Sequence, residues 1–224
     1  MDREIFHLKD VDAADISDVV VKVERSFNVK LNNEDLKSVA TFTELCDTIK
    51  NKITIEHQET CSTQHAFYLI RNAIASNTGR DRCGITPHTK LSELFPRENR
   101  IRMIEEIEDE IGVSTKLLQP KKWVLTLFSL ILLASFAALF FNWILGAAGI
   151  LASALGLKLA GKFGKEIHLK TVGDLANRIS RESYLKMRRA PNTVNKNEVE
   201  QKVKELFVHD LGLEPVMVKR DSHF

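Results

Sequence analysis

Between Trp123 and Leu157 the chain runs WVLTLFSLILLASFAALFFNWILGAAGILASALGL without one charged residue, and that run constrains everything around it. As a single helix it would be about 52 Å long, whereas the hydrocarbon core of a bilayer is about 30 Å thick. One span leaves roughly a third or more of the run unmatched, which tilt alone does not absorb. Two helices, over 123–141 and 144–160 with a fold at Asn142-Trp143, each fit the short end of the spanning range. Lys121 and Lys122 precede the first, and Lys158, Lys162 and Lys165 follow the second; the tip carries no cation. The positive-inside rule then keeps both flanks and both termini cytoplasmic, the topology of a two-span protein of the cell membrane. Ala148, Ala152, Gly156 and Ala160 recur every four residues, which predicts a smooth face for close backbone approach or for self-association. A buried hairpin in a soluble protein is the competing reading, and so long an uncharged run argues against it.

The rest of the chain has ordinary globular composition. With 32 basic and 30 acidic residues the formal charge is +2, so no positive field points to nucleic acid. Cys46, Cys61 and Cys83 form no CxxC pair and suit reduced cytosolic thiols. Cys61 and His65 are four apart, but no second pair completes a four-ligand site, so no metal is expected. The opening residues MDREIFHLKD lack the apolar segment of a signal peptide, and none is expected. There is no GxSxG, HExxH, P-loop or GxGxxG pattern. His209 and Asp210 are sequence neighbours on an ordinary helix, so they point to different faces. No enzyme activity and no cofactor are expected.

Helical periodicity covers the remainder. Ile16, Val19, Val20, Val23 and Phe27 share one face of a helix over 15–27, and Thr41 to Glu44 reads as a capping box before Leu45, Cys46 and Ile49. A polar linker over 52–62 precedes a helix over 63–78, with Phe67, Ile70, Ala73 and Ile74 inward and Gly79 as its stop. Ile101, Ile104, Ile107 and Ile111 mark a helix closed by Gly112. Thr171 and Asp174 repeat the cap of Thr41 and Glu44. A last helix over 197–211 carries Val199, Val203, Leu206, Phe207 and Leu211, with Gly212 as its stop. Two sets thus share one order: an acidic helix ending in a bulky apolar residue, a connector, then a Thr-capped short helix. The uncharged run is inserted in the second connector.

This order resembles the acyl carrier protein family, a four-helix bundle whose phosphopantetheine serine stands in an Asp-Ser-Leu motif before an acidic second helix. Residues 12–50 resemble the family from that motif onward, with Asp12-Ala-Ala-Asp15 at the motif and TFTELCDTI like the fourth helix. Residues 198–224 resemble the first helix and the long loop after it. The resemblance implies a mainly α chain of two small acyl-carrier-like bundles, one circularly permuted between the two termini, with a transmembrane hairpin inserted in the other. The implied division is 1–53 for helices two to four of the permuted domain and 63–120 for the first part of the second. The hairpin then takes 121–162, the second domain's last helix 163–190, and the permuted first helix 196–224.

The attachment serine is missing at both expected places, where Ala13 and Arg97 stand instead. Ser222, in Asp221-Ser222, and Ser17, one helical turn too late, are the remaining phosphopantetheine candidates; the bland alternatives are a chain-end residue and a helix-start residue. The family's acidic second helix is read by basic partner enzymes, which nominates Glu98, Glu105, Glu106, Glu108 and Asp109 for partner binding, against a merely solvated face with pairs such as Arg102–Glu106. Lys186, Arg188 and Arg189 could meet anionic lipid headgroups, or lie on an exposed linker. The expected partners are the bilayer and enzymes or carriers of acyl-chain metabolism. The expected role is a non-catalytic membrane scaffold, with a functional acyl carrier as the alternative. The sequence does not fix the oligomeric state.

Overall fold

In the computed structural model, which describes residues 8–37 and 39–224, the chain is mainly helical. The helices are α1 (Ala13–Phe27), α2 (Asn33–Lys37), α3 (Phe42–Lys52), α4 (Ser62–Thr78), α5 (Leu91–Leu94), α6 (Arg100–Ile111), α7 (Lys122–Ala138), α8 (Trp143–Lys162), α9 (Val172–Glu182) and α10 (Lys196–Asp210). Four short strands, β1 (Glu56–His57), β2 (Leu118–Gln119), β3 (Glu166–Ile167) and β4 (Thr193–Val194), escape sequence reading because two residues carry no period. β1 lies parallel to β4, and β2 antiparallel to β3. The chain divides into two compact units, Met1–Ile70 with Ala176–Phe224, and Arg71–Leu175.

In the first unit the apolar faces of α1, α3 and α10 form one core. Val19, Val23, Phe27, Leu45, Cys46, Ile49, Val199, Val203, Leu206 and Phe207 are all buried, while Ile16, Val20 and Leu211 lie at its margin. Phe27 tilts against Tyr184 with ring centroids 4.8 Å apart, and Phe42 meets Phe207 edge to face at 5.7 Å. Burial pushes the Cys46 thiol up to about 12, so it packs as a small hydrophobe and stays protonated.

Two polar stretches, around 56–62 and 184–198, meet in this unit at a buried arginine. Arg188 is 4 % exposed. Its guanidinium donates to the carbonyls of Thr60 and of Gln58, the latter at 2.7 Å, and lies 3.4 Å from Glu198 Oε2. It also sits over the Tyr184 ring. Glu198 accepts in turn from Ser62 N at 3.2 Å and from the Tyr184 hydroxyl at 3.3 Å. Lys186, Arg188 and Arg189 therefore do not form one exposed basic cluster, because Arg188 points inward where several acceptors offset the cost of burying its charge.

In the second unit Ile104 and Ile107 of α6 are buried, Ile101 and Ile111 partly so, and Leu91, Leu94, Phe95, Leu117, Val172 and Leu175 are buried as well. β2 ends just before α7 and β3 begins just after α8, so their pairing, with Gln119 opposite Glu166, brings both ends of the helical pair to one place. A Cβ on Gly164 would lie 2.5 Å from the Gln119 carbonyl carbon, so only glycine allows that approach. α7 and α8 pack where side chains at Gly146, Gly149 and Gly156 would strike Leu139, Ser135 and Phe128. The contact face is thus Gly146, Gly149, Ser153 and Gly156, not the four-residue stripe, of which Ala148 and Ala152 are exposed. Rows four apart slant around a helix, so a near-parallel partner is met by alternating steps of three and four. α8 is long and apolar enough to cross a membrane by length and composition; α7 is a shorter apolar helix.

The internal repeat is legible hydrogen bond by hydrogen bond. Phe42 N donates to Ser222 O at 2.9 Å, Thr43 N to Arg220 O at 3.0 Å and Phe224 N to Ala40 O at 3.2 Å. Val172 N donates to Thr89 O at 3.0 Å, Gly173 N to Pro87 O at 2.8 Å and Leu91 N to Lys170 O at 3.0 Å, the same pattern in the other unit. Both Thr caps are reciprocal boxes. Gly79 and Gly212 share φ near +65° (67° and 64°), and buried Ala66, Ile70, Ala73 and Ile74 of α4 correspond at one constant offset to Val199, Val203, Leu206 and Phe207 of α10.

In the first unit the docked tail is held by Arg220, whose Nε and Nη2 donate to Glu200 at 2.7 and 2.8 Å. That fork holds the Glu200 carboxyl below the usual carboxylate range. A depressed carboxyl contributes stability at neutral pH that is lost as pH falls through its lowered value. Amide protection at Phe42 and Thr43 is therefore expected to decline as pH falls below the ordinary carboxylate range, after correction for intrinsic exchange, and to be only modestly reduced at neutral pH in Arg220→Ala, because the guanidinium is largely exposed.

Candidate functional site

Two surfaces hold most of the residues singled out by the sequence. The first is an apolar groove of about 240 Å³ in the first unit. Asp12 caps α1 by accepting from Ala14 N at 2.8 Å, which places Ala13 at the first helical position. Ala13, Ile16, Ser17 and Val20 form one wall of the groove, facing Leu36 of α2 and the ring of Phe224. Among the described residues no titratable side chain lines it, so it offers space for an apolar group but no acid or base.

Ser17 is thus brought to an apolar groove, and Ser222 is not. The Ser222 hydroxyl donates to Met217 O at 3.1 Å and accepts from Lys219 N at 2.9 Å. Thr89 Oγ1 accepts from Thr86 N at the same 2.9 Å in the equivalent turn of the other unit. A side chain closing its own turn is the ordinary use of Ser and Thr in loops. Arg97, the other position at which the sequence resemblance looks for a serine, is exposed and pairs with Glu166 at 2.8 Å.

The second surface is α6 and the turn before it. Glu98, Glu105 and Asp109 are exposed; Glu106 is exposed too and lies 3.5 Å from Arg102. Glu108 belongs elsewhere. Its Oε1 accepts from Thr115 N and Thr115 Oγ1, each at 2.6 Å, which ties down the turn after Gly112. Glu24 does the same in the first unit, accepting from Leu31 N at 2.6 Å beyond Asn28, a residue with φ of 49° as Gly112 has 71°. Glu24 and Glu108 sit at the same offset as Asn28 and Gly112, and that repeat was the available signal that Glu108 is structural. Glu108→Ala is expected to cost about 1–3 kcal/mol in thermal or urea unfolding, and Asp109→Ala less than about 0.5 kcal/mol.

The three cysteines are free, Cys46 buried and Cys61 and Cys83 exposed. His65 Nδ1 lies 3.2 Å from Met187 O. Among the described residues no three His, Cys, Asp or Glu side chains gather as a metal would require.

No family model, curated protein or solved structure matches this chain.

Proposed function

We propose that the chain is a non-catalytic, membrane-anchored scaffold whose two acyl-carrier-like bundles dock other proteins on the cytoplasmic side of the bilayer. The observation that carries the membrane part is where the exposed apolar bulk lies. Phe140 is 90 % exposed, Phe141 93 % and Trp143 72 %, and the large exposed hydrophobics of 123–163 far outnumber Val21, Tyr68 and Val216 elsewhere among the described residues. Water tolerates scattered apolar side chains but not a continuous sleeve of them. The lysines at both ends of the helical pair, and the β2·β3 pairing there, support two spans with both flanks on one side.

The carrier-like part is supported by the repeated order of helix, loop, acidic helix and Thr-capped helix. Docking rather than carrying is supported by Ala13 and Arg97 at the two attachment positions, and by the exposed Glu98, Glu105, Glu106 and Asp109. Such a face would speed encounter with basic partners, including proteins of acyl-chain metabolism. Co-purification of the full chain from mild detergent tests this; recovering no protein partner under several conditions sinks it. Ser17 at the apolar groove favours one second reading, an acyl carrier with a displaced attachment site. Incubation with a phosphopantetheinyl transferase and coenzyme A followed by intact-mass measurement separates the two: added phosphopantetheine means carrier, an unchanged mass means scaffold.

A further inference from the structure

We propose that the groove at the foot of the helical pair, in the second unit, holds one anionic phospholipid, with its headgroup phosphate between Lys121 and Lys165 and an acyl chain along Val124, Ala160 and Phe163. The site depends on α7 and α8 serving as the proposed membrane anchor. The groove has a volume of about 230 Å³. Arg97, Lys121 and Lys165 give it a cationic rim, and Val124, Ala160 and Phe163 give it an apolar wall. Lys121 stands at the start of α7 and Lys165 follows the end of α8, while Val124 and Ala160 lie about a turn further into the pair. Cations at the helix ends and apolar surface beyond them match the order of a headgroup and its chain.

The charge left unanswered selects the occupant. Arg97 is paired with Glu166 at 2.8 Å and contributes little net charge. Lys121 and Lys165 have no ion pair among the described residues. No residue from Gly112 to Lys165 is acidic, so the chain supplies no nearby carboxylate from the helical pair or its approaches. Two positive charges beside an apolar wall suit a lipid whose headgroup is negative overall; a choline headgroup would bring its own cation to the same place. A soluble anion would answer the lysines but leave the apolar wall, including Phe163 at 62 % exposure, against water.

The backbone holds the two lysines in place. Gln119 pairs with Glu166, and Gly164 approaches the Gln119 carbonyl more closely than a side chain would allow, so Lys121 and Lys165 leave the strand pair side by side. Arg100 donates to the Lys165 carbonyl, which fixes the main chain from which that lysine projects. Two ammonium groups on flexible stems can then close on one phosphate as point charges.

The full chain would be reconstituted in phosphatidylcholine vesicles and washed at alkaline pH. In parallel it would be released for native mass spectrometry from maltoside micelles holding dioleoyl phosphatidylglycerol and dioleoyl phosphatidylcholine in equal amounts. The chain is expected to stay with the vesicles, and to retain phosphatidylglycerol over phosphatidylcholine by about twentyfold. Lys121→Gln and Lys165→Gln are each expected to lower that preference about fivefold. Lys122→Gln removes the same charge from the adjacent residue, outside the groove, and is expected to change it by less than about twofold. Equal retention of the two lipids, or equal loss in Lys122→Gln and Lys121→Gln, overturns the site and leaves the anchor standing. A chain that washes off the vesicles overturns the anchor, and the site with it.

Discussion

Arg188→Met is expected to destabilise the first unit by about 3–5 kcal/mol, enough to abolish its folding at physiological temperature if its stability is ordinary. The guanidinium connects the carbonyls of Gln58 and Thr60 to the Glu198 carboxylate, and its side chain is fully shielded from water. Methionine fills the volume but leaves Glu198, only 13 % exposed, as a charge with its cation gone. The residual donors, Ser62 N and the Tyr184 hydroxyl, do not neutralise it. Adding Glu198→Gln to Arg188→Met removes the stranded charge and is expected to return roughly half of the loss, a coupling of about 1.5–2.5 kcal/mol. Hydrogen exchange at Val199 and Val203, which sit in the core of this unit, reads the effect without interference from the rest of the chain. A loss below about 1 kcal/mol, or no recovery in the double variant, would show that the joint is not what holds segments 56–62 and 184–198 together.

Arg188 also shows why part of this architecture stayed hidden in the sequence. Periodicity located α1, α4 and α10 to within about two residues and marked the Thr-capped starts of α3 and α9 and the Gly112 stop of α6, because each carries an apolar face and most carry a cap or a glycine stop. It placed Ile49, Ile107 and Phe207 in the interior for the same reason. The two strand pairs and the Arg188 joint have no such signature: β1 meets β4 and Arg188 meets Gln58 and Thr60 across more than a hundred residues, β2 meets β3 across the whole helical pair, and the run Lys186-Met187-Arg188-Arg189 looks the same whether Arg188 points out or in. The packing face of α8 was misplaced by one row, since small residues alone do not tell which of two adjacent rows meets the partner helix. Of the acidic candidates, Glu108 was indistinguishable from Asp109 by type and neighbourhood; only the matching bond from Glu24 to Leu31 separates a loop clamp from a free surface carboxylate. The groove at Ser17 needed Phe224 brought back from the other end of the chain, which no local pattern announces.

If the proposed anchor is right, excising the helical pair is expected to leave a water-soluble chain that keeps the rest of its fold. Gln119 and Glu166 are already opposed in an antiparallel pair, so joining Pro120 to Lys165 through Asn-Gly in place of residues 121–164 makes a four-residue hairpin loop. Arg100 would keep its bonds to the carbonyls of Phe95 and Lys165, and His168 Nδ1 its 2.9 Å contact with Leu117 O. The first unit shows that no membrane-length insertion is needed there, since the corresponding stretch between Leu31 and Ala40 holds only the short helix α2 and its flanking residues. Closing so short a loop also lowers the entropy of the unfolded chain relative to a 44-residue insertion, by an amount that grows only with the logarithm of length. What the excision removes is the apolar sleeve of Phe140, Phe141, Trp143 and their neighbours, and with it the reason to partition into lipid. Membrane fractionation is expected to move essentially all of the protein to the supernatant without detergent, with amide protection at Val172 and Gly173 retained. A variant that stays with the membrane would locate the anchor outside 121–164. One that becomes soluble but loses protection at Val172 and Gly173 would mean that α7 and α8 are part of the second unit's core, and that the β2·β3 pair is too weak to hold that unit's two halves together without them.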